Sequence, residues 1–547
     1  GGSGATGRKD QLSHAFLDAE LQQMGAMVRV LPPIFLLVAA MLVNMTLSRL
    51  IALEREQIGL LKAIGYSGRA VAWHYVEFVL WIALVGIALG FSAGAWLGAG
   101  LAELYARFFS FPYLVFSRDP QIYAIAGLVT LVSAVAGAIH AVRAVLRLPP
   151  AVAMSPPAPA DYGTAGNGIA RWISLRQTDV MVVRHLLRWP LRTASSVLGV
   201  AMAVAILVAS LWSFGSVDHM IDVTFFRAER HDAMLVFGQP TSHKAAYAVR
   251  SMPGVTGVEP FRAVAVRISH RALNRRVMIT GKPKVPELSR VLSPDLYPMA
   301  MPEAGLILSE ALADALQVRP GESVTVEVLE GRRPVLTLPV SGVSVGYVGL
   351  GAAMDIGALN RVLGEGALIS GVALTLDRSQ EAAFYASTRN TPRTGFLMIT
   401  GLTVDRFRET LAENIIRMVT VFVTLAAIIA VGVVYNYARI ALSEQGRELA
   451  SLRVLGFTNA EVAAILFAEI AAIVLLAQPL GWLIGHGISL AMVAAFDSDL
   501  YRVPFIIGRD VYASASLVVL AAALASALLI RGRINRLDMI EVLKTRE

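Results

Sequence analysis

Residues 54 to 69 read Glu-Arg-Glu-Gln-Ile-Gly-Leu-Leu-Lys-Ala-Ile-Gly-Tyr-Ser-Gly-Arg, and residues 445 to 460 read Gln-Gly-Arg-Glu-Leu-Ala-Ser-Leu-Arg-Val-Leu-Gly-Phe-Thr-Asn-Ala. Setting Lys62 on Arg453 pairs Ile58 with Leu449, Leu61 with Leu452, Gly65 with Gly456, Tyr66 with Phe457 and Ser67 with Thr458 at one constant offset. The stretch is therefore an internal repeat. Each copy has a charged helical start, an apolar stripe at helical spacing (Ile58, Leu61, Ile64; Leu449, Leu452, Leu455) and a glycine suited to a left-handed helix C-cap. Ser67 and Thr458 come two residues later as N-caps of the next helix. Thr458 with Glu461 forms a capping box, whereas Ala70 leaves the first box half built. Each copy lies between two long apolar runs, so each reads as a short polar helix that turns sharply at its glycine into a membrane helix.

Composition fixes the class. Hydrophobic residues make up 56% of the chain and charged residues only 16%, with a mean hydropathy of +0.61, which marks an integral membrane protein. The net charge of +8 does not point to nucleic acid, because the arginines gather beside the apolar runs, where anionic lipid and the positive-inside rule account for them. The chain has no cysteine, which excludes disulfides, thiol catalysis and cysteine metal sites.

The chain opens on Gly1 and a glycine-rich lead instead of a methionine or signal peptide, and reads as an excised piece. Residues 1–27 form an extracytoplasmic tail and an amphipathic pre-membrane helix, already inside the repeat because Phe16 falls on Phe407 and Met27 on Met418. Seven segments reach the roughly 20 apolar residues a spanning helix needs. They lie near 28–51, 73–104, 121–144, 191–216, 415–441, 463–496 and 511–531. Arginine and lysine cluster at Arg49 to Arg69, Arg143 and Arg147, Arg184 to Arg192, Arg439 to Arg453, and Arg531 to Arg536. All five clusters fall on the cytoplasmic side if the N-terminal tail is outside. Both repeated helices, at about 52–67 and 443–458, are then cytoplasmic.

The expected fold class is thus an α-helical membrane protein with seven transmembrane helices, an internal repeat and an α+β extracytoplasmic domain. Residues 28–148 make a first three-helix unit and 149–190 a cytoplasmic linker rich in proline and glycine, ending in an interfacial helix. Residues 191–216 make a lone span, 217–414 the outside domain, and 415–547 a second three-helix unit. Short outside loops at about 105–120 and 497–510 carry proline and aromatics (Phe111, Pro112, Tyr113; Tyr501, Pro504, Phe505). Within the domain, alternation predicts strands at Ala263 to Ile268, Val277 to Thr280, Val324 to Leu329 and Val335 to Val340. Ser309 to Gln317 reads as a capped helix, and Arg332 and Arg333 sit at a hairpin. The second unit is preceded by a span and a domain; the first is preceded only by a tail that matches the end of such a domain. The simplest expectation is an intact protein with one more helix and a first external domain, built as two four-helix halves of parallel topology.

Leu-Lys-Ala-Ile-Gly-Tyr-Ser (61–67) and its partner Leu-Arg-Val-Leu-Gly-Phe-Thr (452–458) resemble the signature of FtsX-like, MacB-like ABC transporter permeases, a group that includes the lipoprotein-releasing permeases. Arg147 to Met154 and Arg536 to Leu543 resemble the short helix after that family's last span, and Gly305 to Gly321 resembles its periplasmic core. The resemblance implies a permease without its own motor, in a bacterial inner membrane, with a cytoplasmic ATPase dimer docked on coupling helices. The ATPase-coupling residues it implies are Glu54, Glu56, Ile58, Leu61, Lys62, Gly65 and Ser67, with Arg447, Glu448, Leu449, Leu452, Arg453, Gly456 and Thr458. Expected partners are that ATPase, membrane lipid and a periplasmic protein; no cofactor is expected on this chain, ATP being bound by the ATPase. The implied substrate is a lipophile, lipoprotein, peptide or drug. The alternative is a mechanotransmitter that moves nothing and activates a periplasmic partner such as a cell-wall hydrolase through residues 217–414.

Elementary chemistry agrees that energy comes from elsewhere. A P-loop needs Gly-Lys followed by Ser or Thr to cradle phosphates, but Gly281-Lys282 is followed by Pro283. Gly342-Val-Ser-Val-Gly346 matches a nucleophile elbow, yet the one later histidine, His486, lies in a membrane segment, so a glycine-punctuated strand end is the better reading. No pair of histidines has zinc-ligand spacing, which disfavours a metalloprotease; the second rival, an intramembrane enzyme, would need a polar pocket with aligned acid and base groups. Glu77 and Glu469 sit at nearly equivalent places inside the spans; a proton site is one reading, polar groups bonded between helices the favoured one. Gly86, Gly90, Gly94, Gly98 and Gly100, with Gly481, Gly485 and Gly487, read as close helix packing.

Overall fold

Long apolar runs capped by proline or glycine leave the backbone one way to satisfy itself in hydrocarbon, and the chain takes it as helices. The computed structural model describes residues 12–108, 116–147, 149, 177–188, 190–389, 394–444, 454, 456–495 and 502–534. Its long helices are α1 (Leu12–Leu53), α3 (Gly68–Phe108), α4 (Pro120–Arg147), α6 (Pro190–Ile221), α11 (Thr400–Glu444), α12 (Asn459–Ala495) and α13 (Arg509–Ile534), with the shorter α2 (Arg55–Ala63) and α5 (Gln177–Arg188) between them. Seven are long and apolar enough to cross a membrane, over Val28–Ile51, Gly68–Glu103, Pro120–Ile139, Thr193–Ala228, Met418–Leu442, Glu461–Ala494 and Arg509–Leu529. The fold class read from the sequence therefore stands. The linker residues 151–176, the loop residues Phe111, Pro112, Tyr113 and Tyr501, and the segment from Asn535 onward lie outside the described residues.

The described chain divides into two units. One holds residues 27–211, 417–489 and 508–547, and the other 1–26, 212–416 and 490–507. In the helical unit α6 is the innermost element, with Val200 to Ala209 all buried, which explains why its sequence is apolar on every face. A Cβ added at Gly199 would meet Met41 Cε at 2.8 Å and Val433 Cγ1 at 3.0 Å; one at Gly485 would meet Val208 Cβ at 2.7 Å. Glycine here lets backbones approach, as expected for Gly481 and Gly485. The same expectation fails at Gly86, Gly90, Gly94, Gly100 and Gly487, where an added Cβ meets nothing within 4 Å. Packing glycines and open glycines look alike in sequence, because only the neighbour distinguishes them.

The two repeats meet along α1 and α11, where Phe35 stacks on Phe422 at 6.5 Å and Asn436 Nδ2 donates to Thr46 Oγ1 at 3.3 Å. Equivalent crossings recur in each copy: Gly137 of α4 lies against the Ala40 backbone, and Ser526 of α13 reaches the Val431 carbonyl, 3.3 Å away.

The second unit contains the α+β domain: β1 (Ala233–Ser242), α7 (Lys244–Arg250), β2 (Val255–His270), β3 (Leu273–Lys282), the two-residue strands β4 (Val291–Leu292) and β5 (Pro298–Met299), β6 (Leu306–Ser309), α8 (Glu310–Leu316), β7 (Ser323–Val328), β8 (Val335–Ser344), β9 (Gly351–Asp355), α9 (Ile356–Leu363), β10 (Leu368–Leu376), α10 (Glu381–Arg389) and β11 (Thr394–Ile399). Nine strands form one sheet in the order β11-β1-β10-β2-β3-β9-β6-β8-β7, and β7 also pairs with β2. Strands β2, β3, β9, β6, β8 and β7 thus close a barrel around Val264, Val266, Ile268, Leu306, Leu308 and Val326. The first part of β2 pairs instead with β10 in the open sheet, which packs Leu235, Val372, Leu374 and Phe384 under α7 and α10. Arg262, at the point where β2 passes from one sheet into the other, is 2% exposed. Its guanidinium reaches Glu330 at 2.8 Å, Glu365 at 3.2 Å and Ser370 Oγ at 3.0 Å, the pairing a buried cation requires.

All four strands read from alternation are present. Ser309 caps α8 by accepting from the Leu312 amide. Strands β1, β10 and β11 were not legible, since Gly371 interrupts one and Pro240 another. The segment 212–416 of this unit ends close to the expected limit at 414, within α11, which starts at Thr400.

Candidate functional site

Glu54 is the single non-helical residue between α1 and α2; its amide still bonds to the Leu50 carbonyl at 3.0 Å and its carbonyl accepts from Ile58 at 2.9 Å. The polar helix thus continues from the first span almost without a break. Ile58 is 1% exposed, packed with Leu47 and Ile51 of α1, Val71, Tyr75 and Val79 of α3, and Ala138 and Ala141 of α4. A second tie comes from Tyr75, whose hydroxyl donates to Glu54 Oε2 at 2.6 Å, a charge-assisted bond worth about 1.5–3 kcal/mol where water is excluded.

The far end of α2 is a Schellman cap. Tyr66 N–H donates to the Leu61 carbonyl at 3.0 Å and Gly65 N–H to the Lys62 carbonyl at 3.2 Å, with Gly65 at φ +110°. Ser67 Oγ then accepts from the Ala70 amide at 3.2 Å and starts α3. Partial desolvation of the Lys62 ammonium lowers its pKa, consistent with a stem lying over Gly68, where an added Cβ would stand 3.4 Å from Lys62 Cε.

The predicted stripe splits on this corner. Ile58 faces inward, whereas Leu61 and Ile64 are 40% and 68% exposed and lie beside exposed Leu60 and Tyr66. Glu56 is also on the exposed side. In the second copy Arg447, Glu448, Leu449, Leu452 and Arg453 lie outside the described residues. The corner itself is described there, and Gly456 has φ +100°. Thr458 N–H donates to Glu461 Oε2 at 2.8 Å while Thr458 Oγ1 accepts from Glu461 N–H at 3.3 Å, a complete reciprocal box. Phe457 is exposed as its counterpart Tyr66 is, and Val454, at the place of Ala63, is exposed too; Leu455, the counterpart of Ile64, lies outside the described residues.

Sequence reasoning missed Tyr75. Its signal was a hydroxyl-bearing side chain one face-turn from Val71 and Val79 within an otherwise apolar start. The other polar candidates resolve as structural contacts. Glu469, 1% exposed, is paired with His185 of α5, which fits bonding between helices, but Glu77 is exposed and does not share that environment. His486 Nδ1 is 2.9 Å from the Tyr512 hydroxyl across α12 and α13. Ser344 is buried at the end of β8, its hydroxyl 3.4 Å from the Leu308 carbonyl. Among the described residues no cluster of three metal-ligating side chains occurs.

The outer ends carry a further link within the α+β unit. Arg502 donates to Asp314 of α8 at 2.8 Å and its amide to the Tyr347 carbonyl at 2.9 Å. Ser216 Oγ lies 3.2 Å from the Ile506 carbonyl, and Phe505 packs 6.4 Å from the Trp212 ring. The segment 502–507 therefore straps the end of α6 to the domain.

Comparison with curated proteins gave no match. Solved structures similar to part of the chain include two extracytoplasmic domains. One is the extracellular domain of the noncanonic ABC-type transporter YknZ from Gram-positive bacteria, at 11% identity over 31% of this chain and 98% of that one, with a TM-score of 0.23. The other is the periplasmic region of MacB from Actinobacillus actinomycetemcomitans, at 12% identity over 34% of this chain and 95% of that one, also with a TM-score of 0.23. The family description "FtsX-like permease C-terminal" matches residues 29–150 and again 420–539, the two copies of the repeat. The FtsX-like permease family model thus matches both transmembrane units of the chain.

Proposed function

We propose that the chain is the permease subunit of an ABC transporter in a bacterial inner membrane, driven through α2 and its repeat counterpart by a separate cytoplasmic ATPase dimer. Its cargo would be a lipophile, lipoprotein, peptide or drug taken up at the outer face. The observation that carries this reading is the division of labour on α2. Ile58 and the Tyr75–Glu54 bond fix the helix to three spans, while Leu60, Leu61, Ile64 and Tyr66 present an apolar patch on an otherwise charged segment. A lever needs both properties, a rigid root and a surface to push against. Covering a Leu or Ile side chain contributes about 1.5–3 kcal/mol, so the patch suits a protein partner.

The test is affinity purification of the chain from membranes with and without Leu61→Asp and Ile64→Asp. Co-purification of an ATPase with the unmodified chain, weakened at least about tenfold by each substitution with membrane insertion unchanged, is the expected result. Retention of the ATPase by both variants would mean that the patch faces lipid.

A further inference from the structure

Helix α6 does not pass into β1 as an α-helix. The stretch that follows it, Asp222–Ala228, is wound as a π-helix, and the last turn closes with the Glu229 amide donating to the Thr224 carbonyl, five residues back, at 3.0 Å. Such winding is rare, is mostly confined to single turns and gathers at functional sites. Its cause here lies in the sequence. Trp212, Ser216, Met220 and Val223 are all buried and follow one another at helical spacing. Four residues further along an α-helix, the same stripe would receive Arg227. The wider turn takes that guanidinium off the packed face, to a half-exposed place where its Nε donates to Asp222 Oδ2 at 2.7 Å. Asp222 and Arg227 are five residues apart, so on an α-helix they would point about 140° away from each other. The pair is therefore specific to the π winding.

Both ends of the stretch are held within the α+β unit. Upstream, Ser216 Oγ bonds to the Ile506 carbonyl at 3.2 Å and accepts from its amide at 3.4 Å, and His219 stands edge-on to Tyr347 with ring centroids 6.0 Å apart. Downstream, Arg230 N–H donates to the Leu288 carbonyl at 2.7 Å and Arg290 N–H to the Ala228 carbonyl at 2.8 Å. Between these anchors Val223 is the buried side chain, while Phe226 is half-exposed with the Arg408 guanidinium 5.7 Å from its ring centroid. Ion pairs and cation–π contacts at such exposed sites contribute little each. The π winding is thus held by weak electrostatic contacts, and the α winding is opposed chiefly by one arginine.

We propose that Asp222–Ala228 is a register switch with two windings. In one, the Asp222–Arg227 pair holds the π-turn. In the other the pair is broken, the stretch rewinds as α-helix, and the chain entering β1 is turned by one residue, about 100°, relative to the Ser216 anchor.

The test uses the full chain in phosphatidylcholine nanodiscs. Because the chain has no cysteine, Asp218→Cys and Val285→Cys, both at exposed positions on opposite sides of the turn, carry the only spin labels, and pulsed electron resonance reads their separation. Deletion of Thr224 removes the extra residue and supplies the separation of the α winding. Two separations are expected in the otherwise unmodified chain. Arg227→Leu should shift their ratio at least about tenfold towards the deletion reference, since leucine can lie on the buried stripe. Asp222→Asn or high salt should shift it severalfold the same way, and Arg227→Lys, which keeps the charge, should leave it near the unmodified value. A single separation, or a ratio unmoved by Arg227→Leu or by salt, would overturn the proposal and make the π-turn a fixed bend. A new separation in Arg227→Leu that differs from the deletion reference would overturn it as well.

Discussion

Gly65 and Gly456 hold φ of +110° and +100°, a region in which a β-branched side chain costs about 1–3 kcal/mol. Neither has a neighbour within 4 Å of an added Cβ, so substitution there strains only the backbone of the corner. Gly65→Val or Gly456→Val should therefore leave insertion intact and reduce ATP turnover coupled to transport severalfold; normal coupling in both variants would remove the corner from the mechanism. A different residue-level effect is expected in the α+β unit. Burial opposes ionisation of Glu229, but Lys282, with Nζ 3.7 Å away, and His231, with Nδ1 3.1 Å away, outweigh it and hold the carboxyl below its ordinary value. A depressed carboxylate contributes stability that is present above its unfolded pKa and lost as pH falls through the folded one. Acid melting followed by domain fluorescence should thus begin below the usual carboxylate range, and Lys282→Met should move the onset to higher pH. An onset unmoved by that substitution would contradict the pairing. At this scale the sequence was most readable where backbone chemistry is local: the Gly65 cap, the left-handed turn at Gly456, the Thr458 box and the Ser309 cap. Long-range partners such as Tyr75 with Glu54 were not readable, because spacing along one helix says nothing about which helix faces it.

At the scale of elements, periodicity located all seven apolar helices, since each must be apolar over its whole length to cross lipid. It failed to separate helices that are covered by neighbours from those that are not. The spans Gly68–Glu103 and Glu461–Ala494 match in hydropathy, at 2.2 and 2.1, but 11% of the first window is buried against 56% of the second. Hydrocarbon and a packed neighbour are equally apolar, and hydropathy cannot tell them apart. The strap at 502–507 was likewise read only as a loop with a proline and aromatics. Its contacts to Asp314, Tyr347 and Ser216 make it the element that ties α6 to the domain. Arg502→Ala should reduce transport or partner activation severalfold while leaving the ATPase rate of the complex unchanged. Arg502→Asp combined with Asp314→Arg should recover part of the loss. Failure of that exchange to rescue, with the single variant fully active, would reduce the strap to a passive loop.

At the scale of the molecule, a repeated membrane unit, an α+β domain and two corners that each turn on a left-handed glycine fit the proposal of a machine driven by a separate subunit. The match of both units to the FtsX-like permease family accords with that division. Substrate identity was not legible, because a cargo of the proposed lipophilic kind would leave no motif with fixed spacing comparable to a phosphate-binding loop. The most direct measurement is reconstitution of the chain in liposomes, alone and with the ATPase that co-purifies with it, with assay of ATP hydrolysis and of outer-face cargo movement. The account predicts no hydrolysis and no movement from the chain alone, and both once the ATPase is added. Sustained function of the chain alone in the absence of nucleotide would contradict it.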